Sequence, residues 1–123
     1  MSKINPAAMH ELSEKLMDYF ASEGHKEFSL YVNNQCWCPC SPERVNCITA
    51  AGTPFRLEEN VDVTKWVDFS DPDTVSIIFD GTLYEAFNYG DWTVPYLALD
   101  DIIRPYELYF EFGTPFSLLA CKN

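Results

Sequence analysis

Four of the five cysteines fall within twelve residues: the string CWCPCSPERVNC holds Cys36, Cys38, Cys40 and Cys47, and only Cys121 lies apart. Thiolates this close can gather around one tetrahedral ion, and zinc is its ordinary occupant. Zinc–sulfur bonds of about 2.3 Å place the sulfurs roughly 3.8 Å from one another. Residues two apart in an extended strand are separated by about 6.6 Å. The chain must therefore curl if Cys36, Cys38 and Cys40 are to share a metal. Pro39 and the Ser41-Pro42 pair favour a curl by fixing φ. The spacing predicts an irregular loop over 36–47, stapled by a structural Zn2+ on Cys36, Cys38, Cys40 and Cys47. Three of these cysteines with His25 or His10 form a variant ligand set. An iron–sulfur cluster is disfavoured by Glu43 and Arg44, which mark a wet loop. Disulfides or plain core packing of small apolar thiols are the alternatives. Asn33, Asn34, Gln35 and Ser41 make the surroundings polar for core filler.

Compartment bears on that choice. The N-terminal stretch MSKINPAAMHELSEKLMDYF has no apolar signal-peptide core. No apolar run approaches the roughly 18 residues of a membrane span. A cytoplasmic location is expected, where clustered thiols stay reduced and bind metal more often than they pair. With 123 residues, 47% of them apolar, the chain is expected to form one domain over 1–123 with a core of its own.

The periodicities predict an α+β class: a mostly antiparallel sheet with helices on one face. Asn5-Pro6 opens a helix with Met9, Leu12, Leu16, Tyr19 and Phe20 on its apolar stripe, and Gly24 closes it. Phe28, Leu30 and Val32 alternate with Ser29, Tyr31 and Asn33 in a strand. Ala51-Gly52-Thr53-Pro54 is a turn, and Asp71-Pro72 is another. Residues 61–69 fit either a strand or a helical turn. Val75, Ile77 and Phe79 mark a strand over 74–80. Thr82 and Glu85 read as a capping box for a short helix ending at Gly90. A second helix over 94–103 buries Leu99, Ile102 and Ile103, and Arg104-Pro105 stops it. Leu108, Phe110 and Phe112 begin a hairpin that turns at Gly113-Thr114-Pro115 and returns through Cys121.

No catalytic string is present. The two histidines, His10 and His25, do not form a zinc-protease pair, and neither a P-loop nor a nucleophile elbow occurs. The chain is therefore read as a binding protein and not an enzyme. Its net charge is −11, and the excess is uneven: residues 57–111 carry thirteen acids against Lys65 and Arg104. Such a half repels nucleic acid and attracts basic protein. The candidate contacts are Glu58, Glu59, Asp62, Asp68, Asp71, Asp73, Asp91, Asp100 and Asp101. Asp80 belongs to the same group by position. Trp66, Tyr84, Tyr89, Trp92 and Tyr96 are interleaved with them, a mixture suited to an arginine- and lysine-rich partner. Plain solubility is the alternative use of the charge.

A small, acidic, single-domain chain without catalytic motifs, bearing the loop CWCPCSPERVNC, resembles the anti-CRISPR proteins of phages and mobile elements. Those that inhibit Cas9 include acidic members and a zinc-binding one. The string DVTKWVDFSDPDTVSIIFDGTLYEAFNYG is also similar to proteins of clostridial mobile elements. The resemblance implies an inhibitor that binds Cas9, alone or with its guide RNA, and keeps target DNA from binding or being cleaved. Cas9 holds its heteroduplex in a positively charged channel and reads its short recognition sequence with arginines. The residues imply neither direct nucleic-acid binding nor membrane association. A zinc-stabilised scaffold or regulatory protein of a mobile element, with a partner other than Cas9, is the second reading.

Overall fold

A computed structural model describes residues 5–62, 65 and 74–122. Asn5 caps the first helix, α1 (Pro6–Ser22), by accepting the Ala7 N–H at 2.8 Å, and Pro6 occupies the first turn. Met9, Leu12, Leu16, Met17 and Phe20 are buried along one side of it. Gly24 follows in the left-handed region at φ +76°.

The chain then enters β1 (Phe28–Val32) and reverses at once into β2 (Gln35–Cys38). Asn33 and Asn34 make the reversal, both left-handed with φ of 52° and 59°. Asparagine tolerates that region better than other side-chain-bearing residues, and two such residues form the favoured hairpin turn. Asn33 Nδ2 also donates to the Pro6 carbonyl at 3.1 Å, which ties the turn to α1. Residues 36–38 are thus a strand and not the irregular loop expected from the cysteine spacing. A short 3-10 turn at Pro42–Arg44 leads to β3 (Cys47–Ile48), and the expected turn at 51–53 leads to β4 (Pro54–Glu58).

β5 (Ser76–Phe79) precedes α2 (Gly81–Asn88) and α3 (Thr93–Ile103), close to the expected spans. The cap of α2 differs from the expected box. Asp80, not Thr82, is the N-cap, and its side chain accepts the Gly81 N–H. Thr82 is turned to His25, with Oγ1 2.8 Å from Nδ1. Gly81 sits at φ +57°, and a Cβ there would lie 2.5 Å from the Glu27 carboxylate. Gly81→Ala is expected to cost about 1–2 kcal/mol of stability, read as a lowered urea midpoint at unchanged m.

A 3-10 turn at Arg104–Tyr106 joins α3 to β6 (Leu108–Thr114), which pairs with β7 (Ser117–Lys122). The hairpin reverses one step later than expected, at Pro115-Phe116, with a register shift between Phe112 and Thr114. Among the described residues seven strands form one antiparallel sheet in the order β3-β4-β2-β1-β5-β7-β6. α1, α2 and α3 pack on one face, where Leu12, Phe20, Leu83, Leu99 and Ile103 meet Leu30, Trp37, Ile77, Phe110 and Leu118. The chain is therefore α+β, as its periodicities predict. Among the described residues no helix is long and apolar enough to cross a membrane.

Candidate functional site

Strand alternation turns Cys36 and Cys38 to one face of the sheet. Trp37 faces the helices and is fully buried, so Cys36 and Cys38, its neighbours in β2, point to the opposite face. Cys36 packs there with Tyr31 and Leu119. Cys47 pairs with Phe55 and packs against the helix-side core instead. Cys38 lines an outer cleft of about 550 Å3 with Lys26, Ile78 and Tyr84. Cys40 lines an adjoining cavity of about 240 Å3 with His25 and Met17, and Lys26, Phe28 and Pro39 line both. The curl that a shared metal requires is missing between Cys36 and Cys38, which lie in register with Glu58 and Arg56 of β4. Among the described residues no group of three or more His, Cys, Asp or Glu side chains could hold a metal ion. Cys36, Cys38, Cys40 and Cys47 are free thiols, with no disulfide among them. Of the two variant ligands, His10 lies edge-on to Trp37 with ring centroids 4.9 Å apart and pairs with Glu14 at 3.1 Å. His25 shares a cavity with Cys40, and burial lowers the pKa of its ring, which favours neutral imidazole.

The outer face also sets thiol chemistry. Burial, reinforced by the neighbouring Cys38, pushes the Cys36 thiol up to about 11. Burial first and then Cys36 push the Tyr31 hydroxyl up to about 12. The thiolate is the reactive form, so the rate of Cys36 alkylation by iodoacetamide is expected to climb about tenfold per pH unit through pH 9 and to level only near 11. A plateau at the ordinary thiol value would contradict this. Unfolding returns both groups toward 9.0 and 10.0. The folded state therefore holds more protons than the unfolded state across that interval, and stability falls as pH rises from about 9 to 12. Cys121 lies half-buried in β7 on the same face.

The acids expected to meet a partner divide into two groups. Glu58, Glu59 and Asp62 are exposed at and beyond the end of β4. Arg56 Nε approaches Glu58 at 3.4 Å. Asp91, Asp100 and Asp101 lie at and along α3. Asp91 accepts the Thr93 N–H at 3.1 Å, and its bonds to Thr93 hold its carboxyl below the usual range. Asp100 and Asp101 both face Arg104. β4 and β6 are five ladder steps apart in the sheet, which at about 4.8 Å per step separates the two groups by roughly 24 Å. Among the described residues the carboxylates form two groups and not one continuous patch. Asp68, Asp71, Asp73 and Trp66 lie outside the described residues.

Beside α3 the structure adds apolar surface that periodicity alone did not place. Tyr89, Trp92, Val94, Leu97 and Phe112 are exposed, Trp92 by 48% and Phe112 by 42%. Trp92, Tyr96, Phe110, Glu111 and Phe112 line a groove of about 390 Å3 between α3 and the sheet edge. Phe112 shares strand parity with Leu108 and Phe110, which are buried. The register shift just after it accompanies its exposure, and the Gly113-Thr114-Pro115 string was the available signal for that irregularity. Comparison with protein-family models, with curated proteins and with solved structures finds no match for this chain.

Proposed function

We propose that this chain inhibits a nucleic-acid-binding enzyme by occupying a positively charged channel, and that the enzyme is Cas9, alone or loaded with guide RNA. The observation that carries the reading is exposed aromatic surface beside unbalanced acid. Between residues 80 and 122 seven carboxylates stand against two cations, Arg104 and Lys122. Aromatic anchors in a charged rim are the usual makings of a protein contact. A net charge of −11 suits a partner that otherwise neutralises phosphates. In this reading the α3–β6 end makes the contact. Glu58, Glu59 and Asp62 add long-range attraction that speeds encounter.

Gel filtration of Cas9–guide RNA with the purified chain tests the proposal. Co-elution at low ionic strength, lost as salt is raised, is expected. Separate elution at low ionic strength would overturn it. The alternative, a zinc-stabilised scaffold or regulatory protein with a partner other than Cas9, draws on the C-x-C-x-C run. The gel-filtration result with Cas9 separates the two readings, and native mass spectrometry of the reduced protein tests the zinc common to both: one bound ion per chain would require β2 to end before Cys38.

A further inference from the structure

The groove beside α3 has the features of a preformed pocket. Trp92 and Tyr96 meet at 5.7 Å and 71°, and Tyr96 lies nearly parallel to Phe112 at 6.3 Å. Phe112 is braced from behind by Phe87 at 5.1 Å. The Tyr96 hydroxyl donates to the Phe110 carbonyl at 2.8 Å and fixes its ring. Rings held in this way lose little freedom on binding, so contact with them is not offset by ordering. Acid surrounds them. Glu111 is part of the lining, and Asp91 precedes Trp92 in the chain. Burial raises the pKa of the Tyr96 hydroxyl, and Asp100 and Glu111 add to the rise.

We propose that this groove receives one apolar side chain from an extended segment of a basic protein, with flanking arginines or lysines meeting Glu111 and Asp91. The inference deepens the preceding one and rests on its assignment of a basic partner. β6 is the last strand of the sheet, yet strand addition is not the mode. Tyr96 already caps the Phe110 carbonyl, the ladder is irregular after Phe112, and Glu111 charges the strand. A second copy of this chain is disfavoured because it would bring Glu111 and Asp91 against their own kind.

The test is an NMR titration of the full 15N-labelled chain with two short peptides. Each has two arginines on either side of a central residue, leucine in one and serine in the other. The leucine peptide is expected to shift the Trp92 indole and Phe112 amide signals and to bind about tenfold more tightly than the serine peptide. Trp92→Ala is expected to remove that preference, and Glu111→Gln to weaken both peptides while the spectrum stays folded. Equal binding of the two peptides, or shifts confined to other residues, would overturn the proposal. So would concentration-dependent shifts at the groove without peptide, because a second copy would then be the occupant. Peptide binding in the groove with no Cas9 complex supports the groove and overturns the Cas9 reading. A Cas9 complex that Trp92→Ala leaves at full affinity overturns the groove as the contact.

Discussion

Trp37→Ala is expected to lower the unfolding free energy by about 3–5 kcal/mol, a large part of what a domain of this size has. Trp37 is fully buried. It lies nearly parallel to Phe55 with centroids 4.6 Å apart and receives the edge of His10 at 4.9 Å. Its indole N–H donates to Gln35 Oε1 at 3.1 Å. It sits in β2, which joins β1 to β4, so its loss opens a cavity where the β3–β4 end meets α1. Urea unfolding followed by circular dichroism measures the effect. Trp37→Phe retains most of the buried surface and is expected to cost clearly less. A loss under about 1 kcal/mol for the alanine variant would mean that this region does not pack as described.

The second large effect concerns binding. Replacing both Asp91 and Glu111 by lysine is expected to weaken the Cas9 complex at least tenfold at low salt, about 1.4 kcal/mol or more, because the new charges face a basic surface. Reversal of Glu58 and Glu59 serves as the comparison. Those residues lie roughly 24 Å from the groove across the sheet, several times the Debye length of about 8 Å at physiological salt. Their reversal is expected to slow association with little change in dissociation. Surface plasmon resonance separates the two rates. Equal effects of the two double variants on dissociation would show that the contact is not confined to the α3 end.

The helices and four of the strands were legible because their apolar residues repeat with the right period. Phe28, Leu30 and Val32 lie on the core side, as do Ile77 and Phe79, and Leu99 and Ile103 are buried on α3. The backbone at the cysteines was misjudged for a physical reason. Their spacing suggested a curled loop, but Gln35–Cys38 is extended and turns Cys36 and Cys38 to one face. The informative signal there was Asn33-Asn34, two residues that accept a left-handed backbone and so begin a hairpin. After that turn, Trp37 has to face the core and Cys36 and Cys38 face away. The groove was legible only in part. Trp92 and Tyr96 stood out beside acid, whereas Phe112 followed the core parity of its strand and became exposed where the ladder is irregular.

Competition for target DNA tests the central claim most directly. Guide-loaded Cas9 is mixed with fluorescent target duplex, and anisotropy is followed as the chain is added. Stoichiometric release of duplex is expected at low salt, weakening as salt rises and weakening further with Asp91 and Glu111 replaced by lysine. Unchanged anisotropy at saturating chain and low salt would contradict the account.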